Sequence, residues 1–286
     1  MKTFLKIASV LALVTGLSSC LKDQPIIGAK PQNIVEFYTT DTYQSSVSAL
    51  YPVYGKSFVT GQASSFDITV SYSGTETAPE DITVDVEVDP TALTKYNTKA
   101  AVDGDSQYEP LASSIYSLPT NKVIIKKGER RAKLTVNVNI PVTGFDFDAL
   151  YALPLTIKST SKGTISGNFG SVLYAIGGKN QYEGVYRSKG ARVHPTAGTF
   201  TFDTDVTMNT AGSNGIVGDA LADLGPNLKI VVNADNSVSL SSTTQTSVAL
   251  TPGGVNKYDP ATKTFTLTYF YNTGAPRKIT QTLVKK

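Results

Sequence analysis

Few residues of this 286-residue chain belong to the types that carry out covalent or metal-assisted chemistry. The chain contains one Cys, Cys20, and one His, His194. A Ser-His-Asp arrangement would have to use His194, which precedes a proline in "ARVHPTAG" without a Gly-x-Ser-x-Gly turn elsewhere to present a nucleophile. One Cys and one His also leave a zinc site short of its usual ligands. We interpret His194 as an incidental loop residue and expect no metal and no cofactor.

Carboxylate pairs are the remaining candidates for catalysis, because glycosidases use two acidic side chains. Asp146 and Asp148 share one face of an extended segment, as do Asp203 and Asp205. This spacing is common among solvent-facing residues, so the sequence predicts no enzyme. The acidic loop 103–109 resembles part of a calcium loop but lacks the remaining ligands and the glycine position. We favour a polar loop there and leave a bound calcium ion open.

The position of Cys20 points to lipid attachment rather than to catalysis. A basic head with Lys2 and Lys6 precedes the apolar stretch 7–17, which is too short to span a bilayer and fits a secretory signal. The motif Leu-Ser-Ser-Cys resembles a bacterial acylation signal, which implies that Cys20 carries the lipid. The sequence therefore predicts a signal peptide over 1–19 and a lipidated Cys with its tether over 20–32. An ordinary signal beside a chance cysteine is the alternative.

The charge and aromatic content restrict the class of partner. The chain carries 26 Lys and Arg against 23 Asp and Glu, and a balance so close to neutral argues against nucleic acid, which needs concentrated positive charge. Tyr and Phe number 15 and 11, and Trp is absent. Together with many Thr, Val and Ser residues, this composition is typical of β-sheet proteins.

Alternating patterns divide the remaining chain into two strand-rich parts. Apolar residues recur at every second position in 66–72, 82–88 and 132–140, as in half-buried antiparallel strands. "DPTALTKYN" interrupts them with a capping Asp and a proline at the first helical position, and predicts one short helix. The long segment 98–120 follows as an excursion. We assign 33–177 to an Ig-like β-sandwich.

The boundary falls at "GGKNQYEG", and the second part, 178–286, is again rich in alternating strands with hairpin turns such as "NADNS" and "NTGAPR". The fold class is therefore all-β. The second antiparallel domain is either a small lipocalin-like barrel or another sandwich.

Several of these segments resemble a known bacterial family. "VSYSGTETAPEDITVDVEVDPTALTKYN", "KKGERRAKLTVNVNI" and "YALPLTI" resemble the N-terminal domain of unknown function found in Bacteroidetes outer-membrane lipoproteins. "NQYEGVY" and "NKYDPATKTFTLTYFYN" resemble the β domain that often follows it. In some relatives the first domain precedes a glycosidase of the endo-β-N-acetylglucosaminidase type. The Asp-x-x-Asp-x-Asp-x-Glu run of that enzyme is missing from this sequence.

The resemblance implies a surface glycan-binding protein of a polysaccharide-utilization locus, held in the outer membrane by its lipid and facing the cell exterior. The implied partners are a glycan, a TonB-dependent transporter and the glycan-capturing lipoprotein that accompanies the transporter. A structural or adhesive surface lipoprotein that binds a protein partner is the alternative.

Glycan binding needs an aromatic ring for the sugar face and a few polar groups for its hydroxyls, and such residues tend to lie on loops. We expect ligand contact on the second domain or on segment 98–120, with the first domain as a spacer. Phe270 is the aromatic residue on the threonine face of "KTFTLTYFYN". The candidate glycan-binding residues are Tyr108, Tyr116, Tyr258, Phe270, Asn256 and Asp259.

Overall fold

The computed structural model describes residues 33–225, 227–245 and 247–286. Cys20, the signal peptide and the tether lie outside the described residues, and their assignments stay predictions. Within the described residues, no helix is long and apolar enough to cross a membrane. In the described ranges, twenty strands and one helix form two units, which confirms the all-β prediction.

Two facing sheets build the first unit. Its strands are β1 (Ile34–Tyr38), β2 (Val53–Val59), β3 (Ser64–Ser73), β4 (Ile82–Val88), β5 (Glu109–Pro110), β6 (Tyr116–Ser117), β7 (Lys122–Ile125), β8 (Arg131–Val138), β9 (Tyr151–Thr160), β10 (Thr164–Ile165) and β11 (Ser171–Lys179). One sheet has the order β10-β1-β3-β8-β6 and the other β2-β11-β9-β4-β7, with β5 added beside β9. The alternating residues predicted to be apolar fill the space between the sheets, including Ile68, Val84, Val136 and Leu155. This arrangement is the predicted sandwich.

The helix α1 (Pro90–Asp103) lies against the outer face of the second sheet. Its start agrees with the sequence, because the Asp89 side chain accepts a hydrogen bond from the backbone N–H of Thr91 at 2.9 Å. The helix is longer than predicted. Ala100, near its C-terminal end, is buried, and the helix ends only at Gly104, which has a left-handed φ of 77°. The excursion predicted over 98–120 is therefore helical in its first part and contains two short strands in its second.

The second unit is a nearly closed antiparallel barrel. Its strands are β12 (Gly184–His194), β13 (Gly198–Thr210), β14 (Gly215–Gly218), β15 (Leu228–Val232), β16 (Val238–Ser241), β17 (Ala249–Leu250), β18 (Lys257–Asp259), β19 (Thr264–Tyr271) and β20 (Arg277–Lys285). Their order is β16-β15-β14-β13-β12-β20-β19-β17, with β18 also beside β19. A bridge between Ser237 and Lys257 brings β16 back to β18. Of the two folds predicted for this unit, the structure has the barrel.

The inside of the barrel is filled by its own side chains. Phe265, Leu267 and Tyr269 of β19 are at most 1% exposed, as their alternation predicts. The segment between β14 and β15 packs inward, since Ala220 and Leu221 are also buried. Side chains therefore occupy the volume in which larger barrels hold a ligand.

Candidate ligand-binding site

The connection from β1 to β2, residues 39–52, borders a cavity of about 400 Å³ on the first unit. This volume lies within the range of small-molecule sites. We call it the Tyr43 cavity; its lining residues are Tyr43, Ser45, Ser46, Val47, Ala49, Leu50, Tyr51, Pro52, Asn168 and Phe169. No side chain in this set is an acid, a lysine, an arginine or a histidine, so the cavity is aromatic, hydroxyl-bearing and uncharged.

Tyr43 is held in place by the edge of the second sheet. It forms an antiparallel bridge with Tyr54 of β2, and the two rings stack with centroids 5.3 Å apart. Tyr54 in turn contacts Tyr174 at 6.0 Å, and burial raises the pKa of both inner phenols. Tyr43 itself is 49% exposed. The stack fixes one face of its ring and leaves the rest open to solvent.

Backbone and side-chain hydrogen bonds fix the polar wall of the Tyr43 cavity. The backbone N–H of Gln44 donates to the carbonyl of Val53 at 2.8 Å, and the Val53 N–H donates to Ser45 Oγ at 3.2 Å. Ser46 Oγ donates to Asp105 Oδ2 at 2.6 Å, which ties the connection to the end of α1. The Asn168 amide, by contrast, has no partner among the described residues and is exposed. An incoming hydroxyl group would find this amide free.

A second cavity, of about 230 Å³, lies on the other side of Gln44. We call it the Phe145 cavity, after the ring that packs edge-on against Phe147 with centroids 5.4 Å apart and beside Tyr151 at 5.2 Å. Its floor includes Gly178, where an added Cβ would lie 2.8 Å from the Phe145 ring. Only glycine lets the ring approach the strand so closely.

The one charged residue among those that line the Phe145 cavity is paired. Lys56 Nζ, which lines the cavity, contacts Asp41 Oδ2 at 2.6 Å. This hydrogen bond lowers the pKa of the Asp41 carboxyl, against a smaller opposing effect of burial. A neutral ligand therefore matches both cavities better than a charged one.

Two of the predicted glycan-binding residues lie on the first unit, in separate places. Tyr108 lines the Phe145 cavity, but only 9% of the residue is exposed, its ring contacts Tyr96 at 5.9 Å, and Asn97 of α1 hydrogen-bonds both its backbone N–H and its carbonyl. Burial raises its pKa. Tyr116 lies on the other sheet and lines a shallow cavity of about 510 Å³ with Asn137 and Asn139.

The other predicted residues lie on the barrel, and all but one take part in its internal structure. Tyr258 is 7% exposed and packs against Phe265 at 4.7 Å. Asn256 Oδ1 accepts from the Thr268 N–H, and Asp259 accepts from the Ala261 N–H in the turn that follows. Phe270 is half-buried beside Ala249 of β17. Tyr258 and Asp259 lie on β18, and Phe270 lies on β19 two residues beyond Thr268, whose N–H donates to Asn256.

The acidic residues considered for catalysis or calcium binding have other partners. Asp203 and Asp205 both contact Arg187, at 2.5 and 3.2 Å. Asp146 accepts from the Asp148 N–H in a turn. In loop 103–109, Asp103 pairs with Lys99 and Asp105 accepts from Ser46. No group of three metal-ligating side chains occurs in the described ranges.

Sequence reasoning missed Tyr43, Tyr51, Phe145 and Phe147. The signal was present in "TYQSSVSALYP", where two tyrosines flank a run of serines in a segment without alternation. "GFDFDALY" similarly places two phenylalanines between acids in a connection.

Two family models match successive parts of the chain, and the border between them falls one strand before that of the fold, because β11 lies within the second match. One family model, described as an N-terminal domain, matches residues 32–164. A second, described as a C-terminal domain, matches residues 170–285. No curated protein matches the chain.

Several solved structures from Bacteroides are similar to this chain. A protein of unknown function from Bacteroides ovatus is similar with 17% identity and a TM-score of 0.54, over 90% of this chain and 95% of that one. A multidomain protein from the same species has 15% identity and a TM-score of 0.47, over 88% and 92% of the two chains. An auxiliary nutrient binding protein from Bacteroides thetaiotaomicron has 16% identity and a TM-score of 0.43, over 81% and 89%. The first of these supports the two-unit fold.

Proposed function

We propose that this chain is a surface protein that binds neutral glycan without cleaving it. The chain belongs to the two-domain family that these N-terminal and C-terminal domains define. The observation that carries the proposal is the Tyr43 cavity. Its half-exposed tyrosine ring offers a flat apolar surface to a sugar, and its hydroxyl and amide groups suit the hydroxyls around that surface.

The Phe145 cavity extends the same proposal. Its rings and the exposed side chains of Gln44 and Ser57 repeat the combination of aromatic surface and neutral polar groups. Neither of these two polar side chains has a hydrogen-bond partner among the described residues. Tyr108, predicted from the sequence as a contact, forms part of this wall.

The absence of catalysis is part of the proposal. A glycosidase needs two carboxyl groups facing the bound sugar. No acid is among the lining residues of the Tyr43 cavity or of the Phe145 cavity, and Asp41, which contacts the lining residue Lys56, is paired with it. Recognition is the activity that these surfaces support.

The remaining parts of the proposal come from the sequence. Lipidated Cys20 would hold the protein at the outer membrane through two or more acyl chains, since one chain anchors only marginally. The glycan would then pass to a TonB-dependent transporter and its glycan-capturing partner. Metabolic labelling with a fatty acid, compared between the wild type and Cys20→Ala, tests the anchor.

A second candidate function is binding of a protein partner. The rim of the Tyr43 cavity carries exposed apolar side chains, with Leu50 42% exposed and Val47 fully exposed. Contiguous apolar surface of this kind also suits a protein interface. Retention by a protein from the same membrane, with none by any glycan, would favour this function.

The test of glycan binding is affinity electrophoresis of residues 21–286 through gels containing neutral polysaccharides. We expect Tyr43→Ala to weaken retention about tenfold, because it removes the aromatic platform. Tyr116→Ala is the matched control, a half-buried tyrosine from a different cavity, and should retain wild-type mobility. Loss in Tyr116→Ala with retention in Tyr43→Ala would move the site to the other sheet.

A further inference from the structure

One end of the barrel carries a layer of inward-facing cationic groups that the glycan proposal does not use. Arg192 of β12 lies opposite Phe200 of β13 and Ile279 of β20. Side chains alternate across a strand, so the residues two positions further along, His194 and Arg277, share this inner face. The layer therefore closes the barrel mouth above the filled interior.

The hydrogen bonds of His194 leave no acceptor on its ring for the neighbouring Arg277. Its Nδ1 accepts from the backbone N–H groups of Thr196, at 3.2 Å, and Ala197, at 3.1 Å, in the turn between β12 and β13. The ring proton must then lie on Nε2. Arg277 Nη2, itself a donor, lies 3.2 Å from that same Nε2. Two N–H donors thus face each other.

The charge of this layer is also unbalanced. The Arg192 guanidinium is satisfied by both oxygens of Asp223, at 2.5 and 2.6 Å. Arg277, by contrast, donates to the carbonyl of Ala275 and has no acidic partner in the described part of the chain. Lys278, beside it on the outer face, likewise has none. The mouth therefore carries net positive charge.

We propose that the barrel mouth binds an oxyanion, a carboxylate or sulfate group, between His194 Nε2 and Arg277 Nη2. One oxygen that accepts from both groups resolves the donor–donor contact, and charge-assisted hydrogen bonds of this kind are among the stronger ones. Phe200, 39% exposed, lies in the next layer of the same inner face and offers apolar contact to the ligand body. An acidic saccharide has both features, and the site is independent of the neutral cavities of the first unit.

The experiment uses His194 as its own reporter, since it is the only histidine of the chain. The imidazole NMR signals of residues 21–286 are followed during titration with sodium sulfate, galacturonate or galactose, at constant ionic strength in chloride. We expect saturable shifts with both anions and none with galactose. Tighter binding of galacturonate than of sulfate assigns the site to an acidic saccharide, and equal binding assigns it to the oxyanion alone.

Variants separate a built site from general attraction to positive charge. Arg277→Gln should weaken anion binding at least tenfold, whereas Lys278→Gln, the adjacent exposed cation, should leave it within about twofold. His194→Gln, followed by calorimetry, should lose binding to a similar degree. The proposal is overturned if neither anion gives a saturable shift, or if Lys278→Gln weakens binding as much as Arg277→Gln.

Discussion

The two units have the same strand chemistry but place different groups on their inner faces. Among the described residues of the sandwich, Ser71 is the one buried polar residue, and it lies near the edge of the core. In the barrel, Ser188, Arg192 and Gln281 are all buried. The sandwich is thus held by apolar contact between sheets, and the barrel also by an internal network of hydrogen bonds.

That network runs from wall to wall. Gln281 Nε2 donates to Ser188 Oγ and to the carbonyl of Ala220, both at 2.8 Å, while the Tyr269 hydroxyl donates to Gln281 Oε1 at 2.7 Å. The inward segment is thereby fixed to three strands. The inward segment fills the interior of the barrel, so no internal cavity is left there among the described residues. The cavities of the sandwich lie at its edge, where Tyr43 lies.

Gly190→Ala should have the largest effect, because a Cβ there would lie 2.0 Å from the backbone carbonyl of Thr280 on the neighbouring strand. A backbone atom cannot turn away as a side chain can, so we expect a loss of about 3 kcal/mol or more in unfolding free energy. Urea titration followed by the methyl signal of Met208, fully buried in the barrel, measures it. In the sandwich, Gly177→Ala meets only Ser57 Oγ at 3.3 Å and should shift the midpoint little. Equal effects would contradict the contrast.

Asp223→Asn should come next. It leaves the Arg192 guanidinium, whose side chain is 8% exposed, without its counter-charge at the barrel mouth. Removing one member of a buried pair costs about 2–3 kcal/mol when the pair retains some contact with water. Asp67→Asn, which removes an exposed partner of Lys133 in the sandwich, is the control and should leave the urea midpoint unchanged.

The same pair predicts the direction of the pH dependence. The hydrogen bond from Arg192 lowers the pKa of Asp223 below its ordinary 3.8. A lowered pKa stabilises the folded state fully above the unfolded value, and this stabilisation is lost as the pH falls through the folded one. The difference between the wild type and Asp223→Asn should therefore shrink below about pH 4. A constant difference from pH 6 to pH 3 would show that the carboxylate charge is not the cause.

Gln281→Leu should have the smallest effect of the three. The leucine fills a similar volume but leaves the Tyr269 hydroxyl proton without its acceptor and Ser188 Oγ without its donor, which costs about 1–2 kcal/mol, while the Ala220 carbonyl keeps the Ala222 N–H. Tyr269→Phe should lower the unfolding free energy of the Gln281→Leu variant less than that of the wild type, because in the variant the hydroxyl has already lost its acceptor. Strict additivity in urea unfolding would mean that the network contributes nothing.

The strands were predictable because their pattern is local. Phe265, Leu267, Tyr269 and Tyr271 alternate with threonines, and all four are buried. The end of α1 was not predictable to the same degree, since Ala100 is held by packing against β strands distant in sequence. The barrel interior is filled by Gln281 and the 219–225 segment. The alternation of apolar and polar residues cannot show that these residues face inward, because exposed polar residues have the same pattern.

The candidate sites were harder to predict. Tyr258 lies on the short strand β18 and Asn256 just before it, and only the folded chain shows that the Tyr258 ring fills the barrel interior and that the Asn256 side chain accepts from a backbone N–H. His194 and Arg277 lie 83 positions apart and meet only because β12 pairs with β20. Contacts between strands of this kind leave no signal in the spacing of residues.

The bridge between Ser237 and Lys257 has a consequence for how copies of the barrel can associate. Two backbone hydrogen bonds flank it, from the Val238 N–H to Asn256 and from the Tyr258 N–H to Asn236. Pairing here occupies peptide groups that an unpaired outer strand would offer to neighbouring molecules. This pairing thus guards against edge-to-edge aggregation of the barrel.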